Sequence, residues 1–333
     1  MEKTIRWAMV GLGKISRRML KAIRSVPGSE VVACASSSKE RAEAYAKEFN
    51  IPNALTYQEL ADNPGLVDAV YIATHMNAHA KPTMMFLKKK IAVLCEKTFA
   101  TSEKEAESMI QCSVENDTLL MEAMWTRFLP ATLELQDILA GGKVGKILST
   151  RGKFEVGIGH GPSSRVFNKA VGGGSILDVG IYPTTYTHML LGVPEKIEAK
   201  GRLKKEVDVN CDAVFTYPGG VTATTRVSTE FLTLKEFYII ECEHATVTVP
   251  SFFDARKIII KYKDKNVKKE VITSRGGVPF GRRGYPDGFT HEIFHFNDLI
   301  RRNIKESPVM THEVTMQVMR MIDAQLKQVG VEY

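Results

Sequence analysis

The sequence predicts an α/β protein in two parts: an N-terminal doubly wound parallel sheet, then an α+β region on a large, mostly antiparallel open sheet. Three observations predict it. Through residue 123, short apolar runs alternate with amphipathic helical stretches, the pattern of parallel strands joined by right-handed crossovers. The first run ends in a glycine turn, Gly11-Leu12-Gly13. Beyond residue 124 strand-length runs separated by turns take over, with period-two alternation over residues 221–229. Two domains are therefore expected, 1–123 and 124–333.

Composition bounds the reading. A chain of 333 residues, 44% hydrophobic and 25% charged, is long enough for two cores. No apolar run reaches the roughly 18 residues of a membrane span, so a cytoplasmic protein without a membrane partner is expected. The five cysteines, Cys34, Cys95, Cys112, Cys211 and Cys242, form no CxxC pair and read as reduced thiols. The net charge of +7 is dispersed. Its densest group, Lys257, Lys261, Lys263, Lys265, Lys268 and Lys269, falls on an expected hairpin around Asp264-Lys265-Asn266 with only Tyr262 interleaved. That is a solvated sheet face, not a nucleic-acid surface.

Taken in order, IRWAMV (Ile5–Val10) is a compact strand feeding GLGKIS and an amphipathic helix. Gly11 makes the tight turn and Gly13 lets backbone amides approach a pyrophosphate, while Ser16 fills the place of the usual third Gly or Ala. The second strand, residues 30–35, ends in Ser36-Ser37-Ser38-Lys39-Glu40-Arg41. An NAD enzyme normally places a carboxylate there, so hydroxyls backed by Lys39 and Arg41 favour NADP over NAD. Ser36 to Ser38 also suit capping of the next helix. A helix over Lys39–Phe49, a break at Ile51-Pro52-Asn53, a short helix over Tyr57–Ala61 and a strand over residues 69–73 follow. That strand runs into Thr74, His75, Asn77 and His79, which either contact the cofactor or cap the helix over residues 81–90. IAVLCEKTF (residues 91–99) then brings Glu96 and Lys97 to the carboxyl edge of the sheet, where ligands bind in such folds. A helix over residues 104–114 and a strand over residues 119–123 complete this part.

In the second part, a helix over residues 131–140 precedes strands over residues 147–156, 196–203, 213–217, 221–229, 237–242, 246–249, 257–262 and 268–273. Pro218-Gly219-Gly220 and Glu243-His244-Ala245 read as hairpin turns. Between them lies GGGSILDVGIYP (residues 172–183), where Ser175 suits an N-cap. On a continuous helix Asp178 and Tyr182 share a face, although Pro183 disfavours helical geometry at Tyr182.

GLGKIS, CEKT (residues 95–98), EAMWTRFLP (residues 122–130) and GGGSILDVGIYP together resemble the Gfo/Idh/MocA family of NAD(P)-dependent oxidoreductases. Within it they are most similar to the dimeric dihydrodiol dehydrogenase and D-xylose dehydrogenase branch. The resemblance implies a Rossmann domain, a substrate-binding domain whose open sheet forms a homodimer, and a sugar, polyol or dihydrodiol substrate. It implies cofactor contacts from Gly11, Gly13, Lys14, Ile15, Ser36, Ser37, Arg41, Thr74, His75, Asn77, His79, Glu96, Lys97, Trp125 and Arg127. It places Trp125, Phe154, Asp178 and Tyr182 at the substrate. The family usually has Pro where this chain has Thr98, and many of its sugar dehydrogenases have His where this chain has Tyr182. The chemistry stands beside the resemblance: a tyrosine with an ordinary pKa of about 10 needs a nearby cation to serve as a base near neutrality. Tyr182 is thus the expected general acid/base, Lys97 its electrostatic partner, and Asp178 the group that orients Lys97 or a substrate hydroxyl.

Two rival readings compete with this one. His291-Glu292-Ile293-Phe294-His295 fits the HExxH pattern of a zinc metalloprotease, with Glu306 or Glu313 as a third ligand. Its Ile293, Phe296, Leu299 and Ile300 nevertheless make an ordinary apolar stripe, so no metal is expected. A catalytically idle NADP-binding sensor or scaffold is the other, against which the presence of both Lys97 and Tyr182 counts. The segment 276–288, with Arg282, Arg283 and Tyr285, reads as a loop that either covers the cleft or simply connects.

Overall fold

Ile5–Val10 (β1) is buried at every position but Arg6, as a strand covered on both faces requires. A computed structural model describes residues 3–157, 161, 163–230, 234–273 and 288–333. After β1 come α1 (Lys14–Ser25), β2 (Ser29–Ser36), α2 (Lys39–Phe49), β3 (Asn53–Thr56), α3 (Tyr57–Ala61), β4 (Ala69–Ile72), α4 (Ala80–Lys88), β5 (Ala92–Glu96), α5 (Glu103–Glu115) and β6 (Leu120–Ala123). Their six strands form one sheet in the order β3-β2-β1-β4-β5-β6, parallel throughout. The order reverses between β1 and β4, so the ends of β1, β4 and β5 border the crevice where such sheets bind ligands.

The chain continues with α6 (Pro130–Ala140), β7 (Ile147–Glu155), α7 (Ile181–Leu191), β8 (Lys196–Lys204), β9 (Val207–Thr216), β10 (Thr222–Ser228), β11 (Lys235–Cys242), β12 (Ala245–Val249), β13 (Lys257–Tyr262) and β14 (Glu270–Thr273). These strands form an eight-stranded sheet, β14-β13-β12-β11-β7-β10-β9-β8. It is antiparallel except where β10 runs parallel to β7. The expected glycine turn at Pro218–Gly220 joins β9 to β10. The helices α8 (Phe289–Arg301) and α9 (His312–Val329) close the chain.

Compactness divides the chain into Met1–Trp125 with Phe289–Met316, and Thr126–Gly288 with Gln317–Tyr333. A single cut after residue 123 misses the return of α8 to the first unit. There the Trp7 and Phe296 rings lie 5.3 Å apart and the Trp7 indole donates to Asn297 Oδ1 at 3.2 Å. Both rings are fully buried. Two strands also differ from expectation. The expected break at Ile51-Pro52-Asn53 gives way at Asn53 to β3, which the turn residues Pro52 and Asn53 conceal: the Asn53 side chain donates to the Val32 carbonyl and the strand extends the sheet. β9 begins at Val207 rather than Ala213, its first half masked by Asp208, Asn210 and Asp212. Segment 276–287 lies outside the described residues. Among the described residues no helix is long and apolar enough to cross a membrane.

Candidate active site

The first unit carries the dinucleotide end. Gly11 has φ +86°, and a Cβ there would stand 2.6 Å from the Ala73 carbonyl carbon and the Thr74 nitrogen. Only glycine lets this turn lie against the end of β4. Gly13 is the N-cap of α1, with no side-chain cap and no acid in the first turn, and no atom within 4 Å of where its Cβ would be. The helix start thus offers amides and a positive dipole end to an anion, so these residues fit a pyrophosphate. Lys14 and Ile15 open α1. Ser16 is fully buried, its hydroxyl 3.1 Å from that of Tyr45, which explains a small polar residue in the third position.

At the tip of β2, Ser38 caps α2 by accepting from the Arg41 amide at 3.3 Å. The Arg41 guanidinium donates to Ser37 Oγ at 2.7 Å, and Ser36 Oγ accepts from the Ser38 amide. Capping and an Arg-hydroxyl cluster therefore coexist. Lys39, expected beside Arg41, is instead tied to Glu59 at 2.8 Å.

At the ends of β4 and β5, Thr74 Oγ1 donates to the Ala78 carbonyl. Neither His75 nor His79 caps a helix with its side chain. His79 is buried, with Nδ1 3.1 and 3.2 Å from the Thr98 and Phe99 carbonyls and Nε2 3.3 Å from that of Thr74. It braces the turn after β4 against the turn after β5, and burial pushes its pKa down to about 4. Asn77 lies in the short helical turn Met76–Ala78. Glu96 is 5% exposed; its carboxylate accepts from the Tyr71 hydroxyl and from the Lys97 amide. Glu96, expected among the cofactor contacts, thus also accepts hydrogen bonds at the end of β5. Lys97 follows it, half-buried, and the Lys97–Thr98 peptide is cis. Trp125 is 1% exposed, its ring stacked on Phe289 at 4.6 Å with the Arg18 guanidinium 5.7 Å from its centre. That packing takes up one face of the expected aromatic wall.

In the second unit Arg127 is half-buried in the turn Trp125–Phe128. The segment Ile176–Gly180 is a π-helix that runs directly into α7. Asp178 lies in the π segment, and Tyr182 and Pro183 lie in α7, so Tyr182 adopts the helical geometry that the following proline disfavours. Ser175 does not cap this helix. Its hydroxyl and the Ile176 amide both donate to buried Asp208 Oδ2, at 2.5 and 2.7 Å. Asp178 accepts from Arg165 at 2.7 Å. Tyr182 is 6% exposed, its ring 5.6 Å from Phe154 and 4.7 Å edge-on from Phe253. A Cβ at Gly152 of β7 would stand 3.1 Å from Pro183 Cβ, so that glycine lets the first turn of α7 lie close on the sheet. Arg165 and Phe253 were not among the expected site residues: both lie on connections without periodicity, and only the adjacent Phe252-Phe253 pair hints at a packed role.

The protease pattern does not assemble. Glu292 is fully buried, His295 Nε2 is 2.8 Å from Ser307 Oγ, and among the described residues no three His, Cys, Asp or Glu side chains group as metal ligands.

Residues 5–124 match the profile described as the oxidoreductase family with NAD-binding Rossmann fold, and residues 132–248 match the GFO/IDH/MocA C-terminal domain. Trans-1,2-dihydrobenzene-1,2-diol dehydrogenase of Mus musculus is 30% identical over 335 residues, covering 99% of this chain and 98% of its own. Among solved structures, the 3-ketoreductase KijD10 of Actinomadura kijaniata, in complex with NADP and TDP-benzene, superposes with TM-score 0.85 at 24% identity over 98% of both chains. Aldose-aldose oxidoreductase of Caulobacter crescentus gives 0.84 at 20% over the same shares. Two profiles matched in order, over a glycine turn built to receive a dinucleotide and with a relative aligned end to end, show that the chain belongs to the Gfo/Idh/MocA family and is an NAD(P)-dependent oxidoreductase.

Proposed function

We propose that this oxidoreductase transfers a hydride between NADP(H) and a secondary alcohol or carbonyl of a sugar, polyol or trans-dihydrodiol. The observation that carries the reading is Tyr182, held among Phe154 and Phe253 beside the Arg165–Asp178 pair, in a chain whose curated relatives are named dihydrodiol dehydrogenases. NADP is favoured because Arg41 and Ser37 meet at the tip of β2 with no carboxylate before Glu40.

The bound dinucleotide supplies the hydride acceptor or donor. Gly11, Gly13, Lys14 and Ile15 hold its pyrophosphate, and Ser36, Ser37 and Arg41 hold the ribose phosphate. Thr74, His75, Asn77, His79, Lys97, Trp125 and Arg127 serve the rest of its path. Tyr182 takes the proton of the substrate hydroxyl, Lys97 favours its phenolate, and Asp178, fixed by Arg165, orients a substrate hydroxyl. Trp125, Phe154 and Phe253 wall the substrate. The chain works as a homodimer through the open face of its eight-stranded sheet. Its five buried free thiols suit a reducing, cytoplasmic setting.

The test is NADPH formation with trans-1,2-dihydrobenzene-1,2-diol, D-xylose and a panel of polyols and aldoses. Tyr182→Phe and Lys97→Met should each lower kcat by about 100-fold or more while NADPH binding changes little. Full activity in either variant overturns the assignment. Tight NADP binding with no turnover across the panel favours the sensor reading.

A further inference from the structure

We propose that Glu122 is a positioning residue for Lys97: a buried carboxylate under the carboxyl edge that holds the turn after Lys97 and tunes how strongly Lys97 keeps its proton. The inference deepens the role given to Lys97 and rests on it. β5 and β6 run in parallel register, with Cys95 opposite Glu122 and Glu96 opposite Ala123, so Glu122 lies one strand over from the Glu96-Lys97 step. It is 2% exposed. Its Oε2 accepts from Thr315 Oγ1, at the start of α9, at 3.2 Å, and its carboxylate also accepts from the Phe99 amide. One side chain thus ties β6 to α9 and to the turn that carries Lys97.

The surrounding charges explain why it is this group that titrates. Burial pushes the Glu122 pKa up to about 7, against the Thr315 and Phe99 hydrogen bonds; Glu96 adds to the rise and Lys97 favours the ionised form. Glu96 is engaged by the Tyr71 hydroxyl, on which Glu292 of α8 also acts. The Cys95 thiol feels Glu122, Glu96 and Glu105, and burial, with Lys97 adding to it, disfavours the protonated form of His79. At the start of α9 the His312 ring meets the Leu120 carbonyl and stands 4.0 Å from Glu306. Coupling is reciprocal: if Lys97 lowers the cost of ionising Glu122, ionised Glu122 raises the proton affinity of Lys97 equally.

The test needs no substrate. Competitive acetylation of the intact chain with acetic anhydride across a pH series, read at the Lys97 peptide by mass spectrometry, reports the Lys97 titration directly. Glu122→Gln, which keeps the shape and removes the charge, should lower the Lys97 midpoint by about one unit, with exposed Lys265 unchanged as the internal reference. An unchanged Lys97 midpoint overturns the proposal. Should Glu122→Gln fail to fold, Lys97→Met tests the same coupling from the other side: infrared titration of the Glu122 carboxyl should move up from about 7, and an unmoved titration overturns it. With an active substrate in hand, the kcat–pH profile of Glu122→Gln should shift while the KM for NADP stays put. A shifted Lys97 midpoint without a shifted profile supports the tuning and overturns the catalytic role of Lys97.

Discussion

Glu122 and His79 are buried in the same unit and titrate in opposite senses, which makes the stability of the protein a sum of two opposed slopes. Burial raises Glu122 from 4.5 to about 7, so between those values the native state keeps a proton that the unfolded chain has lost, and stability falls as pH rises. Burial lowers His79 from 6.5 to about 4. Below 6.5 the unfolded chain takes a proton that the native ring refuses, so the His79 contribution is full above 6.5 and is lost toward pH 4. Each shift corresponds to roughly 3 kcal/mol, and the two slopes cancel between pH 4.5 and 6.5. Glu122→Gln should remove one of them. Thermal unfolding of the variant should show stability rising from pH 4 to 6.5 and then level, exceeding wild type above pH 7 by about 3 kcal/mol. Parallel curves for the two proteins would contradict the assignment. Part of this was legible in the sequence, since an acid within the otherwise apolar LMEA is an anomaly for a buried strand. The partners Thr315 and Phe99 were not, because they come from other elements.

At the scale of elements, the turn from β1 into α1 separates two uses of glycine. Gly11→Ala puts a methyl 2.6 Å from the Ala73 and Thr74 backbone at φ +86°, and should cost about 2 kcal/mol or more of stability together with dinucleotide binding. Gly13→Ala meets no protein atom within 4 Å. Its fold should hold within about 1 kcal/mol, while the methyl occupies the space over the helix start where a pyrophosphate would lie. NADPH titration should therefore show a dissociation constant raised about tenfold or more in Gly13→Ala, with unfolding almost unchanged. Equal affinity in wild type and Gly13→Ala would move the dinucleotide off this helix. The turn was readable because its chemistry is local: a strand end, two glycines and an amphipathic helix within a short stretch. The π-helix before α7 was not, because long-range contacts hold it. Asp208 of β9 takes the Ser175 hydroxyl that the sequence alone assigns to a cap, and Arg165 holds Asp178 from 13 residues away. Hairpins marked by glycine were equally plain, whereas β3 and the first half of β9 hid behind polar residues whose pairing only the sheet supplies.

For the molecule as a whole, the eight-stranded sheet poses the question of what covers its second face. One row across it, Ala199, Ala213, Thr225, Gly152, Tyr238 and Val249, follows the strand register and is buried throughout. The next row, Glu198, Val214, Thr224, Arg151, Ile239, Thr248, Ile259 and Val271, is nowhere buried. Period two forces this alternation, yet an ordinary solvated face would be more polar, and here Val214 and Val271 are 39% and 50% exposed. A row with β-branched residues on six of its eight strands suits a second sheet packed face to face, and a copy of the same chain brings one under two-fold symmetry. Sedimentation at micromolar concentration should then give about twice 37.1 kDa for wild type. Ile239→Glu, at the centre of the row, would bury a charge against its symmetry mate and should shift the protein to monomer. The same substitution leaves the buried row untouched, so its thermal unfolding should stay close to that of a wild-type sample diluted to monomer. A monomeric wild type, or a dimer indifferent to Ile239→Glu, would place the self-association surface elsewhere.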